Sequence, residues 1–214
     1  MVGHILEYHP AVTALKAVLK KGDLGQLLHL SATRLNCGKI RSEENVWWSF
    51  APHDVSLILR LAGRLPEKIS CCGNPGLTPG VSDAVTAFLW FSDGLTAGIS
   101  VDWAFPFKER RLSVAGERGM AVFDDCAADH KLVRYHHRIH REGERPASEA
   151  GKSSPVPISD QEPLLAECRH FLECVASRRQ PLSDGRSGLA VLRVLRAGQE
   201  SMEQSGAPVF IGEG

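Results

Sequence analysis

The chain has 214 residues, of which 43% are hydrophobic and 23% charged, a composition typical of a globular protein with one large or two small domains. Twenty-five basic residues balance twenty-five acidic ones, so charge gives no reason to expect nucleic acid or an anionic membrane as a partner. No apolar run is long enough to cross a bilayer, and residues 1–19 lack the basic-then-apolar layout of a signal peptide. We therefore expect a cytoplasmic protein.

The first predicted elements are a helix over residues 11–21 and a strand over residues 26–36. Val12, Leu15 and Leu19 recur at helical spacing, and two lysines followed by a glycine end the helix. The strand alternates apolar with polar side chains, which is typical of a strand with one buried face.

The next predicted helix carries His53. Its apolar face is formed by Val55, Ile58, Leu59 and Ala62. We expect Ser49 to cap this helix, which would place His53 in the first turn, where the positive end of the helix dipole lowers the pKa of an imidazole. A neutral imidazole there can donate or accept a proton at physiological pH. The alternative is a histidine that only hydrogen-bonds a neighbouring loop.

After this helix the pattern changes to a period of two, which indicates strands. We predict strands over residues 68–72, 84–91, 95–103, 110–115, 120–123 and 130–135. The strand over 84–91 is apolar on both faces, as expected for a central strand. Asp93-Gly94 is a hairpin turn signal. In the strand that follows, a polar face with Thr96, Ser100 and Asp102 is expected to meet either solvent or a second subunit.

Residues 136–162 are polar, basic and proline-containing, which predicts an exposed loop. Two helices follow. The first carries an apolar stripe of Leu164, Cys168, Phe171, Leu172 and Val175, and the second begins at an Asp184 cap and carries Leu189, Leu192 and Leu195. Helices at both ends of a contiguous run of strands predict an α+β fold, with an open, mostly antiparallel β-sheet and helices packed on one face.

Metal chemistry has little support in the sequence. The six cysteines form no Cys-x-x-Cys pair, and we interpret them as reduced thiols without a metal or redox role. His136 and His140 would share a face if that stretch were helical, and two imidazoles at this spacing can hold a transition metal. The alternative is a solvated polar loop, which the lack of nearby acidic or thiol ligands favours, so no metal is predicted.

Five further residues are candidates for ligand contacts. Arg34 and Asn36 end the first strand, and Arg34 could hold a carboxylate or phosphate with two parallel hydrogen bonds; the alternative is an arginine in water. Trp47 and Trp48 could form a pocket wall before His53. Lys108 follows an aromatic stretch and could line a basic rim, although surface charge is the alternative.

A nucleotide fingerprint is absent from the sequence. A dinucleotide fold needs a strand, a glycine-rich turn and a helix, so that backbone amides approach the pyrophosphate. Neither Gly-x-Gly-x-x-Gly nor Gly-x-x-x-x-Gly-Lys-Ser/Thr occurs in the chain. The chain alone is therefore not expected to bind a nucleotide cofactor.

A series of short motifs nevertheless resembles a known family. In order they are His9-Pro10-Ala11, Gly22-Asp23-Leu24-Gly25, Arg34-Leu35-Asn36-Cys37-Gly38, the stretch 45–54, Pro66, Asp83, Phe91-Ser92-Asp93-Gly94, Trp103, Pro106-Phe107-Lys108, Gly116-Glu117-Arg118-Gly119, Glu167-Cys168-Arg169-His170-Phe171 and Pro181-Leu182-Ser183-Asp184-Gly185. Their order and spacing resemble the C-terminal domain of the Gfo/Idh/MocA oxidoreductases, nearest to the sugar-nucleotide 3-oxidases, over almost the whole chain.

This resemblance implies a fold and a chemistry. Family members pair an N-terminal Rossmann domain, which binds NAD or NADP, with a C-terminal α+β domain that lines the sugar pocket and forms oligomers through its sheet. Hydride passes between a sugar carbon and the nicotinamide, and a lysine of the Rossmann domain and a histidine of the C-terminal domain handle the proton. His53 matches the histidine of the family's Asp-x-x-x-His motif, while Ser49 replaces the aspartate.

The resemblance therefore predicts one domain over residues 1–214, without the Rossmann domain. Its expected function is the substrate-binding and oligomerisation part of an NAD(P)-dependent oxidoreductase of a sugar or sugar nucleotide, of the UDP-N-acetylglucosaminuronate 3-dehydrogenase type. The resemblance implies His53 as catalytic acid or base, no cofactor in this chain alone, and no turnover without the missing domain. The alternatives are a non-catalytic dimerisation module and a metal hydrolase that uses His53, Asp54 and the histidines near His136.

Overall fold

A computed structural model describes residues 1–74 and 76–212. A 3₁₀ turn over Ile5–Tyr8 precedes the helices α1 (Pro10–Lys20), α2 (Val46–Ala62), α3 (Pro163–Ser177) and α4 (Gly185–Glu203). The strands are β1 (Leu27–Cys37), β2 (Lys68–Gly73), β3 (Ala84–Trp90), β4 (Thr96–Asp102), β5 (Ala104–Gly116), β6 (Gly119–Asp124), β7 (Leu132–Tyr135), β8 (Arg138–Glu142), β9 (Arg145–Glu149), β10 (Ser153–Pro155) and β11 (Val209–Phe210).

Nine of these strands form one open sheet in the order β10-β7-β6-β5-β1-β4-β3-β2-β11. β1 lies at the centre, where it pairs parallel with β4 and antiparallel with β5. The remaining pairs in this sheet are antiparallel, and β8 and β9 form a separate hairpin. The predicted α+β fold with an open, mostly antiparallel sheet is confirmed.

One face of this sheet carries the hydrophobic core. Strand residues of this face, including Leu30, Ala32, Val85, Leu89, Ile99, Val101, Leu112 and Phe123, are almost fully buried beneath the helices. Helix α2 adds Val55 and Ile58, and α4 adds Val194. The alternation predicted for residues 95–103 is confirmed, as is the Asp93-Gly94 hairpin between β3 and β4.

Two predictions about the strands are wrong. In β3, Thr86 and Phe88 are exposed, so this strand buries one face and leaves the other uncovered. Residues 136–162 were expected to be a loop, but they include the β8–β9 hairpin and β10, which pairs with β7 at the sheet edge. The sequence shows no apolar period there because backbone pairing, rather than burial of one face, forms these strands.

Helix α3 has its apolar stripe on the outside. Its buried residues are Glu167 and Cys174, whereas Cys168, a member of the predicted apolar stripe, is exposed. The uncovered apolar residues of the last two helices, here called the α3–α4 apolar face, are Leu164, Leu165, Phe171, Leu172, Val175, Leu189 and Leu192. In α4 the buried residues include Leu195 of the predicted stripe together with Val191 and Val194, whereas Leu189 and Leu192 of that stripe are exposed. Within the described chain, no helix is both long and apolar enough to cross a membrane.

Candidate functional site

Helix α2 begins earlier than the sequence predicted. Asn45 is its N-cap: the Asn45 side chain accepts a hydrogen bond from the Trp48 amide and donates one to Gln199. Ser49 is therefore inside the helix, and His53 is its eighth residue instead of a member of the first turn. The predicted effect of the helix N-terminus on His53 is wrong for this reason, because that effect fades beyond the first turn.

His53 is half-buried, and its Nδ1 atom is enclosed without a hydrogen-bond partner. Burial is the main cause that lowers the pKa of His53, and the positive charge of Arg34 lowers it further, while Asp54 opposes the shift. The direction agrees with the sequence-based expectation, but desolvation is the principal cause. His53 is thus neutral at physiological pH, and an uncharged ring can accept a proton or hold a hydroxyl group.

Arg34 and Asp54 form a buried ion pair beside His53. Arg34 Nε donates to Asp54 Oδ2 at 2.7 Å, and Arg34 Nη2 donates to Asp54 Oδ1 at 3.0 Å. The two-pronged clamp predicted for Arg34 exists, but its carboxylate belongs to this chain. Arg34 accordingly ties α2 to the central strand β1, and the guanidinium fork is not free for a ligand carboxylate.

A second histidine lies near this pair, and sequence reasoning did not single it out. His4 is 8% exposed, and its enclosed Nε2 has no hydrogen-bond partner. A charge on His4 would lower the pKa of His53, and burial lowers the pKa of His4 itself. No motif in the sequence marks His4, because only the packing of the 3₁₀ turn against α2 brings it to this place.

The other predicted ligand residues differ in their exposure. Trp47 is fully buried, and its indole N–H donates to the Leu195 carbonyl oxygen at 2.9 Å, so it belongs to the core and does not shape a pocket. Trp48 and Asn36 are half-buried, and Lys108 is exposed. Lys108 lies two residues before Arg110 of β5, and Arg110 is the residue opposite Arg34 in the register between β5 and β1.

A metal centre has no support in the described part of the chain, where no group of three or more His, Cys, Asp or Glu side chains could hold an ion. Asp54 is occupied by Arg34. The His136–His140 pair predicted from helical spacing does not occur as such, because residue 140 lies in strand β8. The side chain of His140 lies outside the described residues.

The comparisons with known proteins identify the family. The family profile of the GFO/IDH/MocA C-terminal domain matches residues 12–122, slightly more than half of the chain. The chain belongs to this family. The stretch includes β1, α2 and the Arg34–Asp54–His53 cluster, so the family assignment and the candidate site rest on the same part of the molecule.

Two relatives and one structural neighbour illustrate the similarity. UDP-N-acetylglucosamine 3-dehydrogenase from Acidithiobacillus ferrooxidans is 27% identical over 192 residues, which are 89% of this chain and 58% of that protein. Its solved structure superimposes with a TM-score of 0.75 at 26% identity and covers 94% of this chain and 60% of that one. Trans-1,2-dihydrobenzene-1,2-diol dehydrogenase from Bos taurus is 30% identical over 138 residues, 59% of this chain and 40% of that protein.

More distantly related structures share the fold. Levoglucosan dehydrogenase, solved with NADH and L-sorbose, superimposes with a TM-score of 0.80 at 16% identity, covering 99% of this chain and 65% of that one. This likeness concerns the fold alone. The chain spans about three fifths of the Acidithiobacillus relative.

Proposed function

We propose that this chain is the substrate-binding and oligomerisation part of an oxidoreductase that acts on a sugar or sugar nucleotide with NAD or NADP. The observation that carries the proposal is the half-buried imidazole of His53 beside the Arg34–Asp54 pair, within the stretch that the family model matches. The family match supports the reaction class, and so do the two relatives, which are dehydrogenases. A UDP-linked amino sugar is the substrate class that the Acidithiobacillus relative supports.

The roles of the residues follow from their places. His53 would accept or return the proton of a sugar hydroxyl, and Arg34 would position α2 through Asp54. Asn36, Trp48 and Lys108 remain our candidates for contacts with the sugar or its attached nucleotide. Ser49 precedes His53 by one helical turn on the same side of α2, so a hydroxyl stands where the family's aspartate would be.

The chain's own residues do not fit a dinucleotide. The sequence has no glycine-rich turn of the kind that holds a pyrophosphate, and the parallel neighbours β1 and β4 are separated in the chain by α2, β2 and β3. We therefore assign the nicotinamide cofactor to another domain and derive no step through it here.

Two uncovered surfaces support a larger assembly. The α3–α4 apolar face exposes seven large hydrophobic side chains, and large exposed apolar surfaces mark interaction sites. We propose that a nucleotide-binding domain covers it.

On the uncovered face of the sheet, Phe88 packs against His29 and Trp90, with ring centroids 5.9 Å and 4.8 Å apart. We propose that this aromatic patch lies in a contact with a second copy of the chain.

Titration with UDP-N-acetylglucosamine, followed by ¹H–¹⁵N NMR, tests the proposal. We expect saturable shifts at His53 and Asn36, and we expect His53→Ala to weaken binding by about tenfold, as for the loss of one hydrogen bond to a polar ligand. His136→Gln is the matched control, because His136 is exposed near the edge of the sheet, where its ring forms a hydrogen bond with the Ser154 hydroxyl. Shifts that avoid His53, or equal affinity of both variants, would contradict the proposal.

A non-catalytic dimerisation module is the second candidate, and the aromatic patch on the open sheet face favours it. The two candidates agree on the dimer and differ on His53. A dimer in solution that binds no sugar nucleotide in the titration above would select the module.

A further inference from the structure

Arg110 of β5 is a charged neighbour of the candidate site. It lies directly opposite Arg34 in the register between β5 and β1, and the side chains of directly opposite residues share one face of a sheet. Arg34 reaches Asp54 of α2 from that face, so Arg110 also lies on the side of the sheet that α2 covers. Arg34, Asp54 and Arg110 line the same small cavity, and Asp54 follows His53 directly in α2.

The guanidinium group of Arg110 is largely available to a ligand. Within the described chain it makes one hydrogen bond, from Nη1 to Asp125 Oδ2 at 3.5 Å, which is a long contact. Its Nε and Nη2 atoms are neither hydrogen-bonded nor enclosed, and the side chain is 39% exposed. Arg34 differs, because its Nε and Nη2 atoms both donate to Asp54 and its side chain is 9% exposed.

The charges near Arg110 leave an excess of positive charge. Asp125 pairs with Arg110 and also with Lys131, whose Nζ atom lies 3.2 Å from Asp125 Oδ1. Lys108, two residues before Arg110 in the same strand, is exposed and pairs with no carboxylate among the described residues. These three cations therefore share one carboxylate. The charge of Arg110 also lowers the pKa of His53, after burial of the ring and the charge of Arg34, so its field reaches the imidazole.

This arrangement is suited to a ligand with more than one negative charge. Guanidinium groups bind phosphate oxygens through charge-assisted hydrogen bonds. A diphosphate that links a nucleoside to a sugar carries one negative charge on each phosphate, which matches the excess of three cations over one carboxylate. A single carboxylate would neutralise only half of that excess. In UDP-N-acetylglucosamine the uridine and the amino sugar are uncharged, so the diphosphate is the group that this charge would recognise.

We propose that Arg110 binds the diphosphate of a nucleotide-linked sugar, with Lys108 as the second positive charge, while His53 meets the sugar. This inference rests on the proposed function and adds to it the residue that selects a sugar nucleotide over a free sugar. Asp125 would hold the Arg110 side chain through Nη1 and leave Nε and Nη2 for the phosphate oxygens.

Calorimetric titration of the full chain with UDP-N-acetylglucosamine tests the inference. Arg110→Met should raise the Kd by about tenfold, because it removes a charge-assisted hydrogen bond, and it should make binding less sensitive to added NaCl. Arg111→Met is the matched control. Arg111 is the next residue of β5, lies on the opposite face of the sheet and pairs with Glu109 and Asp124, so its loss should leave both the Kd and the salt dependence unchanged.

A second variant keeps the test decisive if Arg110→Met does not fold. Lys108 is exposed and unpaired among the described residues, so Lys108→Met should fold, and it should raise the Kd by about threefold, as for the loss of one exposed charge pair. The inference is overturned if Arg110→Met and Lys108→Met bind the sugar nucleotide as tightly as Arg111→Met, or if the salt dependence is the same in all variants.

The titration also separates this inference from the proposed function. If His53→Ala weakens binding and Arg110→Met does not, the proposed function stands and the role of Arg110 is refuted. If the folded, unmodified chain binds no UDP-N-acetylglucosamine, both are refuted.

Discussion

Helices α2 and α3 both carry an apolar stripe, but the stripe of α2 is buried against the sheet and the stripe of α3 is exposed. In α2, Val55 and Ile58 are fully buried against the sheet, and the charged Asp54 is buried together with its partner Arg34. In α3, Phe171 and Leu172 are 47% and 65% exposed, while the buried positions are polar or small. Helical periodicity therefore reveals that an apolar face exists, but not which surface it contacts.

The two helices should differ most in how the free energy of unfolding responds to mutation of their buried carboxylates. Asp54→Ala leaves Arg34 buried without its partner, and we expect a loss of about 3–5 kcal/mol in the free energy of unfolding. Glu167→Gln in α3 should be neutral or stabilising at neutral pH, because burial raises the pKa of Glu167 and the Oε1 atom of its carboxylate has no partner. Urea denaturation of both variants provides the measurement.

An exposed ion pair is the control for this experiment. Arg41 and Glu44 lie 2.8 Å apart with side chains that are 52% and 37% exposed, and Arg41→Ala should change the free energy of unfolding by less than about 1 kcal/mol. If Asp54→Ala lost no more than this variant, the Arg34–Asp54 pair would not anchor α2.

Truncation of one leucine-sized side chain in each helix compares their packing directly. Ile58→Ala removes fully buried atoms and should lower the free energy of unfolding by about 2–5 kcal/mol. Leu172→Ala removes mostly exposed atoms and should change it by less than about 0.5 kcal/mol. Equal losses in thermal or chemical unfolding would mean that the α3–α4 apolar face is already covered in solution.

A glycine in α4 tests how closely α2 is packed. A Cβ atom at Gly198 would lie 2.7 Å from ring carbons of the buried Trp47, so Gly198→Ala should destabilise the protein by about 1–3 kcal/mol. Gly185 begins the same helix, has open space around it and has no positive φ. Gly185→Ala should therefore be neutral or slightly stabilising, and a loss at Gly185 comparable to that at Gly198 would refute the packing argument.

The smallest expected effect is the dependence of stability on pH through His53. The folded protein lowers the pKa of His53 below the ordinary value of 6.5, so the unfolded chain binds its proton more readily. Stability should thus be greatest above pH 6.5 and should fall as the pH decreases towards the folded pKa. His53→Gln should flatten this slope, and NMR titration of the imidazole should give a midpoint below 6.5; a midpoint above 6.5 would contradict the burial of His53.

Local patterns predicted much of the fold, since a strand with one covered face shows its alternation in the sequence. The run from Leu95 to Trp103 is an example, and all five apolar positions of that run are buried. The ends of helices were harder to predict. Both Asn45 and Ser49 are suitable capping residues for α2, and only the contact of Asn45 with Gln199 of α4 distinguishes them.

The candidate site was predictable only in part. The sequence drew attention to Arg34 and to His53, and the fold places both beside Asp54. It did not reveal that Arg34 and Asp54 are partners, because their contact joins two elements twenty residues apart. His4 and Trp47 show the same limitation, since burial of a polar ring or of an indole depends on which elements pack together.

The central position of β1 also affects the order of events during synthesis. This strand ends at Cys37, yet its two neighbours lie within residues 96–116. At a ribosomal speed of about 5–20 residues per second, roughly 4–16 s separate the completion of β1 from that of β5. During this interval the apolar residues of the strand have no neighbouring strand to pair with, so among the described helices only α1 and α2 can cover them before β4 is made.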